Sequence, residues 1–201
     1  MLAAIITAIL LVGCSDKPTE SLSEPKVLVF VRDGSYNTEY MLTHEVGVML
    51  SMLEEAEILA VVATQSEDSY QDSEPPLKSD ILLQNITVAD YDGFLLPCMA
   101  AGAPGSIEDD AIAMVAEAAA QNKPIAAQHG SVPTLAEAGL LDGTHYAYER
   151  DAFPEGIYDG TGVVQDGNII TSGTCSQEAR YTGLPDGTPE LTQKIIEAVA
   201  P

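Results

Sequence analysis

Positive charge is the scarcest property of this chain: 8 Lys and Arg stand against 31 Asp and Glu, for a formal charge of −23 over 201 residues. Such a surface repels phosphate backbones, which sets nucleic acid aside as a partner. It suits high salt, where screening removes the self-repulsion of like charges, and it equally suits a merely well-solvated protein; composition does not choose between them. Cysteine is scarcer still. Its 3 copies, Cys14, Cys98 and Cys175, exclude the disulfide framework that staples small secreted domains, and leave open only a single Cys98–Cys175 bridge. No pair among the His and Cys residues has the close spacing of zinc ligands, so neither a metal nor another cofactor is expected. No apolar run reaches the ~20 residues needed to cross a bilayer. Internal repeats are lacking as well, and at this length the chain holds one domain with a full core.

What is present begins with an apolar run, Leu2 to Val12, that ends in Leu11-Val12-Gly13-Cys14. This pattern reads as a lipoprotein-type signal over residues 1–13, with Cys14 lipidated and left as the mature N-terminus. A polar, Pro-containing tether over residues 14–25 follows, as a spacer between membrane and domain should. The expectation is an exported domain, residues 26–201, held by lipid to the outer face of a membrane at the cell surface or in the periplasm.

Within that domain, Lys26–Val31 is a continuous apolar run of the kind buried on both faces of a parallel sheet. After Asn37 or Thr38 as a cap, Met41, Leu42, Val46, Val48, Met49 and Leu53 recur near helical spacing. Ile58–Ala63 and Gly93–Leu96 read as further strands, Ile107–Gln121 as an Ala-rich helix and Pro189–Val199 as a closing helix. Gly162–Val164 and Asn168–Thr171 flank Gln165-Asp166-Gly167, a hairpin signal. Strands that alternate with helices through short links predict an α/β fold, a mostly parallel sheet covered on both faces.

The most informative stretch is Lys123 to Ser131. Ile125-Ala126-Ala127 is a small apolar strand, Gly130 gives the backbone freedom a tight turn needs, and Ser131 can cap a helix through Leu135-Ala136-Glu137-Ala138 to Gly139. Ligands and chemistry collect at such strand ends in open parallel sheets. The apex of this elbow is His129, where nucleophilic chemistry would want Cys or Ser.

Several blocks in order carry a family resemblance: Asp33-Gly34 with Glu39 after the first strand, Tyr91-Asp92-Gly93-Phe94-Leu95-Leu96-Pro97, Lys123 to Ala127, Leu135 to Leu141, and Asp166 to Ser172. From Lys26 to Thr174 the chain resembles the ThiJ/PfpI group of the class I glutamine-amidotransferase-like superfamily, which includes the Parkinson's-associated protein. The resemblance implies a flavodoxin-like three-layer sandwich, commonly dimeric, with a reactive Cys at the elbow and a Glu from the first loop touching its sulfur. Glu39 falls at the position of that Glu. An ungapped alignment between Pro124 and Leu135 puts His129 on the Cys and Gly130 on the residue after it; a shifted one puts Gln128 there, and in both the thiol is missing. The group's Pro-Gly-Gly, whose amides can bind an oxyanion, reads Pro97-Cys98-Met99 here.

Three chemistries follow from these residues. Cys98 and His129, at neighbouring strand ends with Glu39 orienting the imidazole, would make a relocated trio for hydrolase, amidase, glyoxalase-like or deglycase-type catalysis; against it stands Cys98 as a small buried residue. A metal held by the same three residues, with His44 and His145 elsewhere, lacks ligand spacing. The reading preferred from sequence is a scaffold without the group's Cys-dependent hydrolase activity. It binds a small molecule or partner at a crevice lined by Gly130, Ser131 and Met99, with Glu39 accepting a hydrogen bond from His129.

Overall fold

Each inner strand carries apolar side chains to both of its faces, and this decides the architecture. The computed structural model describes residues 24–34, 37–67, 70–101 and 109–200; the signal segment, Cys14 and the tether up to residue 23 lie outside the described residues. The strands are β1 (Lys26–Phe30), β2 (Leu59–Thr64), β3 (Ile81–Leu82), β4 (Gly93–Leu96), β5 (Ile125–Gln128), β6 (His145–Tyr146), β7 (Ile157–Tyr158), β8 (Val163–Asp166) and β9 (Ile169–Ser172). Seven of them form one sheet in the order β3-β2-β1-β4-β5-β9-β8, parallel except for the β8–β9 hairpin, whose turn falls between Asp166 and Ile169. The remaining pair, β6 and β7, is a short parallel ribbon that sequence patterning did not anticipate.

Alternation along the strands splits the core in two. Leu28, Phe30, Phe94, Leu96, Ile125 and Ala127 face one way, onto α3 (Asp109–Ala120) and α4 (Val132–Glu137). Val27, Val29, Leu95, Ala126 and Ile170 face the other way, onto α2 (Gly47–Glu55) and, after α5 (Ser176–Thr182), α6 (Thr188–Val199). This is the flavodoxin-like three-layer sandwich, helices on both faces of a mostly parallel sheet. Among the described residues no helix is long and apolar enough to cross a membrane.

The first helical segment departs from a single regular helix. It runs as α1 (Thr38–Met41), a π turn over Leu42–Val46, and then α2. Asn37 at its head does not cap with its side chain but reaches Gln177 Oε1 at 3.0 Å. Glu45 lies inside the π turn, four residues from both Met41 and Met49, and is fully buried with them. An acid in an apolar stripe, at a kind of turn that recurs at functional sites, marks where to look.

Candidate functional site

The strand order brings three chain positions to one edge of the sheet. Pairing β4–β5 and β5–β9 places β5 between the other two, so their carboxyl ends lie side by side. Cys98 opens the 3-10 turn after β4, His129 opens the one after β5, and Cys175 is the cap residue between β9 and α5.

His129 is the elbow apex, with φ of 33°. Left-handed backbone is unfavourable for a residue with a Cβ, and such strain collects at functional turns. Its Nδ1 lies 2.9 Å from the Gly173 carbonyl oxygen. A carbonyl only accepts, so Nδ1 carries a proton, and in the neutral ring Nε2 presents a lone pair. The ring also packs on Tyr148, centroids 5.4 Å apart. Only glycine fits at 173, because a Cβ there would meet the Thr161 Cα at 2.8 Å and the Tyr148 nitrogen at 3.0 Å. Gln128, the other candidate for the apex, is the last residue of β5; it is buried, with Nε2 donating to the Thr174 carbonyl at 2.8 Å.

Around this apex the expected crevice lining divides. The Ser131 hydroxyl does not cap α4; it donates to the Pro97 carbonyl and ties the elbow to the end of β4. Met99 is 0% exposed and packs in the core beside Val31 and Leu95. Neither therefore offers a surface to a ligand, because both are consumed in packing. Gly130 stays half-buried, and its amide draws the Cys98 thiol toward its ionised form.

The two thiols act on each other. Cys98 is half-buried and Cys175 only 2% exposed, and both are free thiols. The Cys98 thiol donates to the Cys175 sulfur, and this bond is the largest cause holding Cys175 down at about 6, against the opposing effect of burial. The amides of Glu178 and Gln177 and the positive charge available to His129 act in the same direction. Cys98 is pushed well up by that same bond, by burial and by the charges of Glu45 and Cys175, with the Gly130 amide acting against them. Thiolate character, which makes a cysteine reactive, thus resides on Cys175.

Beneath Cys98 lies Glu45. Its Oε1 accepts the Cys98 amide at 2.7 Å, while Oε2 has no partner among the described residues. Burial first, then the Cys175 charge, raises its carboxyl well above the ordinary value, in spite of the Cys98 amide. The acid beside the sulfur is therefore Glu45 and not Glu39. Glu39 is exposed on α1, around a surface pocket of about 450 Å³ with Asn37, Tyr40 and His44, and no hydrogen bond or ion pair joins it to His129. The relocated trio does not assemble: Cys98 is the more weakly acidic thiol, and Glu39 points to solvent.

His44 is exposed and stacks on Tyr40 with centroids 4.4 Å apart. His145 pairs with Asp159 at 2.6 Å on the small ribbon. Among the described residues no group of three or more His, Cys, Asp and Glu could hold a metal ion. Glu45 is the residue that sequence reasoning left without a role, and Cys175 entered it only through the single bridge to Cys98 that composition left open. For Glu45 the signal was its place in the apolar stripe; for Cys175 it was a position just past a strand end, informative only once the strand order is known.

Comparison with known proteins agrees with the fold. The sequence model of the DJ-1/PfpI family matches residues 25–183. Among solved structures the chain is similar to a DJ-1 superfamily protein from Salmonella typhimurium, at 27% identity and a TM-score of 0.57, covering 88% of this chain and 99% of that one. It is similar to a ThiJ/PfpI domain protein from Brachyspira murdochii, at 14% identity and a TM-score of 0.65, covering 88% and 97%. It is also similar to a two-domain protein from Anabaena variabilis with DJ-1/ThiJ/PfpI-like and ferritin-like domains, at 19% identity and a TM-score of 0.58; 88% of this chain is covered, and it spans 55% of that one. No curated protein matches the chain.

Proposed function

The chain belongs to the DJ-1/PfpI family, and on that premise we propose that it is an exported, lipid-anchored member that holds a small ligand at the elbow and does not perform elbow-thiol hydrolysis. The observation that carries this reading is an imidazole at the apex, at φ of 33°, where nucleophilic chemistry would need sulfur. With Nδ1–H fixed on the Gly173 carbonyl, the neutral imidazole of His129 has Nε2 left to offer as an acceptor. The ligand it suits is a small neutral molecule with a hydroxyl or amide donor. Anions are opposed by the net charge of −23 and by the neighbouring thiolate. Support for the anchor comes from the Leu11-Val12-Gly13-Cys14 pattern and the polar tether behind it.

Two measurements test the reading. Wild-type protein and the His129→Ala variant should turn over an α-oxoaldehyde and a chromogenic peptide amide equally poorly, while the wild-type imidazole nitrogen resonances shift on titration with a library of small alcohols and amides. Turnover by the wild type that vanishes in His129→Ala would sink it. Radiolabelled palmitate should appear on the exported protein and be lost in Cys14→Ser; an unlabelled wild type removes the anchor from the proposal.

A further inference from the structure

One pattern in the chain has no part in the elbow, from which β2, β1 and β4 separate it in the order of the sheet. Of the asparagines, Asn37, Asn85, Asn122 and Asn168, only Asn85 is followed two places on by Ser or Thr, in Asn85-Ile86-Thr87, with no proline between. We propose that Asn85 is an N-glycosylation site, which takes an oligosaccharide from a polyprenyl-phosphate-linked donor once the chain is exported. The inference rests on the export proposed above and on nothing at the elbow.

Local structure turns the pattern outward. Asn85 ends the 3-10 turn Leu83–Asn85 between β3 and β4, and after it Ile86 (φ −72°, ψ 152°) and Thr87 (φ −118°, ψ 112°) are extended. Extended backbone sends successive side chains to opposite sides, so Asn85 and Thr87 share one side and Ile86 takes the other. The apolar residues decide which side meets the core. Leu83 and Val88 are buried and Ile86 packs against the same cluster, which leaves Asn85 and Thr87 exposed. The two groups the modification needs, a carboxamide and a hydroxyl, are the ones that face solvent.

The carboxamide is also uncommitted. The Asn37 side chain donates to Gln177 at 3.0 Å and that of Asn168 to the Asn122 carbonyl at 2.6 Å, whereas among the described residues no hydrogen bond holds the Asn85 side chain. A substituent on its nitrogen breaks no contact of the fold. There is room for one as well: Asn85 lines a surface groove of about 700 Å³ beside the edge strand β3, together with Leu77, Ile81 and Leu82. A sugar is bulky, and at a buried or bonded asparagine it would cost packing or a hydrogen bond. Here it displaces only water.

The transfer balances without any oxidant. The Asn85 side-chain nitrogen attacks the anomeric carbon of the donor sugar, the bond from that carbon to the phosphate oxygen breaks, and its electron pair leaves with the polyprenyl phosphate. The nitrogen gives up one of its two protons to base and keeps the other.

The test takes the full chain from the membranes of the cells that produce it and weighs two of its peptides, the one that contains Asn85 and the one that contains Cys14. The Asn85 peptide should exceed its sequence mass by whole sugar residues and release sugar fragments on collision. That increment should be lost in Asn85→Gln and in Thr87→Ala, which lacks the hydroxyl, and should return in Thr87→Ser. Thermal melting by circular dichroism should be the same for these variants, since both positions are exposed. Lipid on Cys14 with a bare Asn85 peptide overturns the glycosylation and leaves export standing, and two bare peptides overturn both. Sugar on Asn85 with a bare Cys14 upholds the glycosylation and removes only the anchor. Sugar that persists in Asn85→Gln or Thr87→Ala overturns the assignment to this pattern. Should a variant fail to fold, the mass of the wild-type peptide decides alone.

Discussion

Replacing Cys98 with Ala tests whether the sulfur–sulfur hydrogen bond, and not burial or the α5 amides, makes Cys175 acidic. Burial acts in the opposite direction, so some donor must outweigh it, and the Cys98 thiol is the largest contributor. A hydrogen bond to a charged group is worth about 1.5–3 kcal/mol, and S–H is a weak donor, which places this one near the lower end. One pH unit corresponds to about 1.4 kcal/mol, so Cys98→Ala should move the Cys175 midpoint from about 6 to about 7. Cys98→Ser keeps a donor, and a stronger one, so its midpoint should stay near the wild-type value or fall below it. Thiolate absorbance near 240 nm follows the titration, with Cys175→Ser as the blank that removes Cys14 and the tyrosines. The Ala midpoint must therefore lie above the Ser midpoint by about one pH unit or more. If Ala and Ser move the midpoint alike, or the wild type shows no transition below pH 8, the hydrogen-bond account of the site is wrong.

Glu45→Gln should raise the denaturation midpoint at neutral pH and change little at pH 4. The sign follows from the raised carboxyl: its contribution to stability is complete below the ordinary value of 4.5 and is lost as pH climbs through the folded value. Cys175 works the other way, since a depressed acid adds stability that is full above 9.0 and gone below about 6. Denaturation of Cys175→Ser against pH should lack that rise. Gly173→Ala forces a Cβ to 2.8 Å from the Thr161 backbone, and should cost about 1–3 kcal/mol by chemical denaturation and shift the His129 imidazole resonances. His129→Ala should cost about 2 kcal/mol, the Gly173 hydrogen bond and the Tyr148 ring contact together. His129→Gly should be about 1 kcal/mol more stable than His129→Ala, because glycine alone tolerates the apex backbone; the reverse order would show that the apex is unstrained.

The parts of the molecule written in local pattern were legible. The Val27 to Val31 run fills both faces of a central strand, so a doubly covered parallel sheet follows from it, and Asp166-Gly167 turns the β8–β9 hairpin where the sequence reading puts it. His129 could be placed at the elbow because a short apolar strand, a glycine and a helix start bracket it. The site beneath was harder to read. Glu45 sits four residues from Met41 and Met49, and its burial is visible on a helical projection, but the resemblance drew attention to Glu39 instead. Cys175 carries no local signal: Thr174 and Ser176 beside it are equally small and buried, and α5 is a short helix that no apolar period announces. Its meeting with Cys98 depends on β9 lying next to β5, a fact of sheet order that residue spacing does not contain.

Energetics argue that stability does not account for the side chains at this edge. A residue with a Cβ in left-handed backbone costs on the order of 1–2 kcal/mol, as His129 does at φ of 33°. The Gly173 hydrogen bond returns about 1 kcal/mol, and the Tyr148 ring contact about 0.5–1.5 kcal/mol. These amounts nearly cancel, so a glycine at the apex would serve the fold almost as well as the imidazole. Glu45 is a sharper case. Its buried carboxyl leaves one oxygen without a partner among the described residues and is pushed toward its neutral form, so a Gln of the same shape would hold the Cys98 amide without any proton linkage. Cys175, acidic yet almost sealed, gains nothing for packing that a Ser or Ala would not give. Glu45 holds the Cys98 amide, Cys175 acts on the Cys98 thiol, and His129 acts on Cys175; a proton, a thiolate and a hydrogen-bond acceptor at one edge of the sheet are what a site requires and a core does not.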